Sequence, residues 1–181
     1  MSHAKFLMKT FAALSSTGAA ATNAFLDILS SNPELRVYES LREEAAASFT
    51  SYDDWRDPAA LKKLICTDSA IRESLRRNPI QARGLLREVV PKSGLTLPDG
   101  NHIPRGTWVG VPVQAVHMDD RSYSKPDSYD PFRFARMRTK PTSLGQKHDS
   151  FAGTSDIYQT NIEATQPSYR YLAYSYGRYA W

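Results

Sequence analysis

Apolar positions near the amino terminus recur at steps of four and three: Leu7, Phe11, Leu14, Gly18, Ala21, Phe25 and Leu29. That spacing places them on one stripe and predicts a single long helix over residues 1–32. Pro33 stops it, because the proline ring pushes Asn32 out of helical geometry. Lys5, Lys9, a short apolar run and the alanines at 19–21 loosely imitate a secretory leader. The run is far shorter than the roughly 7–15 residues such a leader needs. Inside the helix, Ser15-Ser16-Thr17-Gly18 are weak helix formers among alanines. The stretch is read as close packing of a neighbour against small residues; hydroxyls turned toward a ligand or water are the alternative.

A second helix is predicted over 33–50, with proline in its first turn and Leu35, Tyr38, Leu41 and Ala45 on its apolar side. Residues 51–55 read as a loop. A third helix, over 57–78, carries Leu61, Leu64, Ile65, Ala70, Ile71 and Leu75 until Asn78-Pro79 ends it. The pattern then shortens to that of strands in the region 84–117. Residues 84–90 form one strand, and Asp99-Gly100-Asn101 marks a hairpin turn. Residues 107–116 form another strand, with Pro112 at an edge or bulge. From 118 to 181 Tyr, Ser, Pro and charged residues dominate, and 136–166 reads as a long irregular loop. The fold class is mainly α with small β-sheets, in one domain without repeats.

Composition narrows the function. The 181 residues are 41% apolar and 23% charged, near the values of globular proteins. No apolar run reaches the roughly 18 residues of a membrane span, so no membrane anchor is expected in this chain. A single cysteine, Cys66, excludes an internal disulfide framework and a multi-cysteine zinc site. The net charge of +4 comes from basic residues scattered among acids. That argues against a nucleic-acid binder and against a basic helical interaction module.

The candidate chemistry lies in an ordered series. Glu73-Ser74-Leu75-Arg76 sets an acid and a base three apart on a helix. The same residue types occur earlier, as Glu39-Ser40-Leu41-Arg42, where an ordinary surface pair is expected. Only the second copy is followed by Arg77-Asn78-Pro79, a strand bearing Arg87, the Asp99-Gly100 hairpin, and Tyr129-Asp130-Pro131-Phe132-Arg133-Phe134. The chain closes with Tyr174-Ser175-Tyr176-Gly177-Arg178-Tyr179-Ala180-Trp181.

This series resembles the carboxy-terminal half of a cytochrome P450, a haem-thiolate monooxygenase, most of all the enzymes of fungal secondary metabolism. The resemblance implies an incomplete cytochrome P450 fold in which residues 11–29 belong to the long distal helix. Ser15, Ser16 and Thr17 fall on the oxygen-activation patch. Glu73, Arg76 and Arg133 form a structural triad held by charge-assisted hydrogen bonds. Arg87, Arg178 and Tyr179 are the haem-propionate candidates. Haem is the implied cofactor, with NADPH–cytochrome P450 reductase as electron donor and a small apolar substrate. Full-length family members imply the endoplasmic reticulum membrane; a cytoplasmic location is the expectation for a fragment.

The chain departs from the family pattern. Ser15 stands where an acid or histidine is usual, and Ser16 where the threonine belongs. Serine keeps the hydroxyl but loses the methyl that fixes its rotamer. Trp181 occupies the position of the cysteine ligand, and indole nitrogen only donates. Cys66 is expected to be a buried inert thiol; His102, His117 and His148 are the axial donors available on paper, with surface or core roles expected for His102 in its hairpin and His117 after a strand. The family's amino-terminal half is expected to be missing. A chain so composed is expected to be poorly soluble and inactive as a monooxygenase, a non-enzymatic remnant or interaction fragment being the alternative function.

Overall fold

The computed structural model describes residues 3–139 and 163–177. Helix α1 (His3–Leu29) runs unbroken through the Ser-Ser-Thr-Gly stretch. The Ser15 and Ser16 hydroxyls donate to the carbonyls of Phe11 (2.8 Å) and Ala12 (2.7 Å), one turn back on the same helix. Among the described residues no neighbour packs against Gly18, where an added Cβ would meet nothing within 4 Å. The expected close packing is therefore not what the small residues serve. Phe11, Leu14 and Leu29 are 71–75% exposed, whereas Ala24 is buried.

The predicted second helix divides. A 3-10 turn (Pro33–Leu35), capped by the Asn32 side chain, precedes α2 (Val37–Ser48), and Arg36 at φ 47° makes the corner between them. A further 3-10 turn (Asp53–Arg56) replaces the expected loop; the Asp54 carboxylate accepts from the Thr50 and Ser51 amides. The third helix also divides, into α3 (Pro58–Leu61) and α4 (Ile65–Arg77). The break has a long-range cause. Glu44 of α2 accepts from the amides of Cys66 (2.6 Å) and Thr67 (2.9 Å), so a carboxylate from another helix satisfies the first donors of α4.

Strands β1 (Gly84–Glu88) and β4 (Trp108–Val111) pair antiparallel, with Gly84 opposite Val111 and Arg87 opposite Val109. The spare residue between those registers is a bulge in which Leu85 adopts φ 55°, a left-handed conformation rare for a branched side chain. Strands β2 (Leu95–Thr96) and β3 (His102–Ile103) form the expected hairpin, with Gly100 at φ 88°.

Two expectations are corrected here. The strand predicted over 107–116 ends at Val111. Pro112, which has no amide hydrogen, starts α5 (Val113–His117) and thereby turns Val113 and His117 inward. The tail predicted to be irregular contains α6 (Arg133–Thr139), whose Phe134 and Ala135 amides both donate to the Ser69 hydroxyl of α4. Residues 140–162 of the expected loop lie outside the described residues.

Helix α4 is the centre of the molecule, with α1, α2, α5 and α6 packed around it. Its buried face is polar: Ser69, Arg72, Glu73, Ser74 and Arg76 are all interior, beside Ala70 and Leu75. A helix of that composition stays buried only when each charge finds partners, and those partners make up the site.

Candidate functional site: a buried arginine clamp beneath a small-residue cleft

Glu73 and Arg76 have fully buried side chains. Arg76 grips the carboxylate with two parallel bonds, Nε to Oε2 and Nη2 to Oε1, each 2.8 Å. Its remaining donors reach the carbonyls of His117 (2.6 Å) and Pro126 (2.7 Å), and its guanidinium lies over the Tyr123 ring. Arg133 brings Nε to 3.1 Å from both Glu73 oxygens and donates through Nη1 to the Ser124 carbonyl at 2.7 Å. One carboxylate thus faces two guanidiniums, and main-chain carbonyls absorb the excess positive charge. The earlier copy, Glu39 and Arg42, makes no ion pair among the described residues.

A second layer joins α4 to residues 163–177. Arg72 lies 3.8 Å from the centre of the Tyr171 ring and donates to the Glu163 and Gln166 carbonyls. His117 stacks on Tyr171 at 5.5 Å; its Nδ1 lies 2.9 Å from the Arg76 carbonyl, and its Nε2 accepts from the Leu172 amide at 2.7 Å. Burial pushes the Tyr171 phenol upward and pulls His117 down to about 4. At the far end of α4, Asp27 of α1 accepts from Ser74 (2.6 Å), Arg77 (3.0 Å) and Asn78 (2.9 Å).

Between α1 and this layer opens a cleft of about 260 Å³. Ala13, Ser16 and Thr17 line one side, Leu172, Ala173, Tyr174 and Ser175 the other, and Ile80, Gly84, Leu85 and Val113 fill the end. Gly84 fits closely there: an added Cβ would stand 3.0 Å from Val113 Cγ2, and the Val113 side chain would have to shift. Ser175 (φ 71°) and Gly177 (φ 75°) turn the chain away beyond it.

The structure therefore brings Ser16 and Thr17 to the cleft and joins Glu73, Arg76 and Arg133 beneath it. Ser15 does not line the cleft. Arg87 is exposed on β1 and donates to the Leu86 carbonyl; it is not one of the cleft-lining residues. Arg178, Tyr179 and Trp181 lie outside the described residues, as does His148. Cys66 is half-buried at the start of α4; burial and then Glu44 push its thiol up, so it resists forming a thiolate. Sequence reasoning missed Asp27, Arg72 and the bonding of His117. Their hydrogen-bond partners lie 41 to 94 residues away, so no local pattern signals them.

Small side chains on one wall and apolar ones at the end suit the faces of a flat macrocycle. Among the described residues the lining contains no Cys, His or Met to bind its iron, and burial keeps the Tyr174 phenol protonated. Among the described residues no cluster of His, Cys, Asp and Glu is suited to a metal ion, and no helix is long and apolar enough to cross a membrane.

Comparison with known proteins points to one family. Residues 3–179 match the family model described as Cytochrome P450. The chain is 51% identical over 176 residues to the cytochrome P450 monooxygenase polB of Polytolypa hystricis, a match covering 96% of this chain and 32% of that one. It is 44% identical over 170 residues to efuH of Hormonema carpetanum (94% and 28%), and 41% identical over 173 residues to fsoD of Humicola fuscoatra (94% and 30%), both cytochrome P450 monooxygenases. The chain belongs to the cytochrome P450 family. It spans about a third of the length of these curated relatives.

Proposed function

We propose that this chain supplies the distal helix and the buried clamp of a fungal cytochrome P450 monooxygenase, which oxidises a small apolar secondary metabolite using dioxygen and electrons from NADPH–cytochrome P450 reductase. The supporting observation is the position of the cleft, with Ser16 and Thr17 on one wall and residues 172–175, anchored through α4, on the other. When bound, haem supplies the oxygen-activating chemistry. The chain's residues do the rest: Ile80, Leu85, Val113 and Leu172 exclude water from its faces, and the Ser16 hydroxyl holds a proton beside the reacting side. Ser16 Oγ is bonded to the Ala12 carbonyl, so it relays a proton only by turning from that carbonyl toward the cleft. Arg87, with Arg178 and Tyr179, would secure the propionates. The complete protein would reside at the endoplasmic reticulum membrane.

On its own, the 181-residue polypeptide is proposed to be inactive. Its one cysteine, Cys66, sits outside the cleft lining and is biased toward the neutral thiol, whereas haem-thiolate chemistry would need a cysteine thiolate to hold the iron. Haemin added to the purified chain, followed by reduction and carbon monoxide, tests both parts. Uptake of haemin without a thiolate-type Soret band is expected. A thiolate-type band would overturn the inactivity, and no uptake at all would count against the cleft as the haem-facing surface.

A further inference from the structure

We propose that His117 is a positioning residue, a neutral latch that fixes the cleft wall at residues 172–175 to helix α4. The argument starts from its two partners. A carbonyl oxygen can only accept, so Nδ1, 2.9 Å from the Arg76 carbonyl, carries the hydrogen. A backbone amide can only donate, so Nε2, 2.7 Å from the Leu172 nitrogen, presents its lone pair. Of the three forms available to imidazole, one satisfies both bonds.

The surroundings hold it in that form. Arg72 and Arg76 face the ring from α4, the carboxylate of Glu73 being already gripped by Arg76, and the protonated Tyr171 phenol ring stacks on it from the other side. Burial and the two arginines disfavour the imidazolium. The latch reaches the cleft in one step, because Leu172 itself lines it and the Leu172 carbonyl accepts from the Ser175 amide at 3.0 Å. Arg76 thus serves two structures at once: its guanidinium completes the Glu73 clamp and its carbonyl holds the latch. The consequence for a haem-facing surface rests on the function proposed above; the latch itself does not.

Hydrogen exchange of the 15N-labelled 181-residue chain tests this, reading the Leu172 amide against the Ala70 amide of α4 in the same sample. His117→Phe keeps the ring stacked on Tyr171 but removes both hydrogen bonds. It is expected to speed Leu172 exchange about tenfold, the scale of one hydrogen bond, with Ala70 unchanged. His117→Gln, which retains a donor and an acceptor, is expected to recover most of that protection. In the unmodified chain the ring should show a protonated Nδ1 and a bare Nε2. Equal Leu172 protection in the Phe variant, loss of protection at both amides in both variants, or a hydrogen on Nε2 would each overturn the proposal. Haemin titration of the unmodified chain reads the haem-facing role separately. Failure to take up haemin would count against that role alone, because Leu172 exchange decides the latch.

Discussion

The Nε of Arg133 lies 3.1 Å from both carboxylate oxygens of Glu73, a residue 60 positions earlier in the chain. The same two oxygens are also gripped by Arg76. Glu73 is therefore the point through which α4 and α6 share one charge, and removing it would strand two buried guanidiniums.

Glu73→Ala is expected to destabilise the chain by about 3–5 kcal/mol, the range for breaking a buried ion pair on one side. Arg133→Lys should lose less, though more than a surface pair, since an ammonium cannot meet both oxygens and the Ser124 carbonyl together. Urea unfolding followed by circular dichroism measures both. A loss for Glu73→Ala within the ~1 kcal/mol typical of exposed pairs would show that the cluster contributes no more than a surface bridge.

Stability should fall as the solution is acidified through the range from about pH 6.5 to about pH 4. His117 has a folded-state value of about 4 against an ordinary 6.5. Between those values the unfolded chain binds a proton that the folded chain refuses, so unfolding gains ground as pH drops, and the effect is complete below the lower value. The shift corresponds to at most about 3 kcal/mol. His117→Gln should flatten this part of the pH profile, and an unchanged slope in that variant would assign the acid sensitivity to other groups.

Asp27→Ala should loosen α1 from α4, since Ser74, Arg77 and Asn78 all donate to that carboxylate. A loss of about 2–3 kcal/mol is expected from a partly buried, charge-assisted set of this kind. Exchange should accelerate across α1 while the β1–β4 amides keep their protection. Uniform acceleration throughout would mean that the helix does not undock separately.

The apolar side of α1 should make the isolated chain prone to association. Phe11, Leu14 and Leu29 stand open together with Leu7 and Phe25 on one helix, and contiguous exposed apolar surface promotes association. Replacing Phe11 and Leu14 with Gln and Lys should reduce light scattering and dye binding at unchanged urea midpoint. If scattering persists at the same level, association arises elsewhere.

Legibility in the sequence followed the range of the forces involved. The long helix and the Asp99-Gly100 hairpin are written in local spacing and turn chemistry, and both stand where the pattern puts them. The break between α3 and α4 is set by Glu44, 22 residues from the amide it caps, and nothing near Lys62 announces it. Helix α5 was hidden because Val113 to His117 carry the branched residues of a strand, while Pro112 and the burial of His117 decide the outcome. At the site, Glu73, Arg76 and Arg133 were readable through the family resemblance. Asp27, Arg72 and His117 were not, because a buried polar residue shows its purpose only beside its distant partner.

The partners of Glu73 all come from within this polypeptide: Arg76, Arg133 and the Asp130 amide. Each of these donors is delivered by the folded backbone itself, so the strength of the knot can be weighed on the purified polypeptide with nothing added.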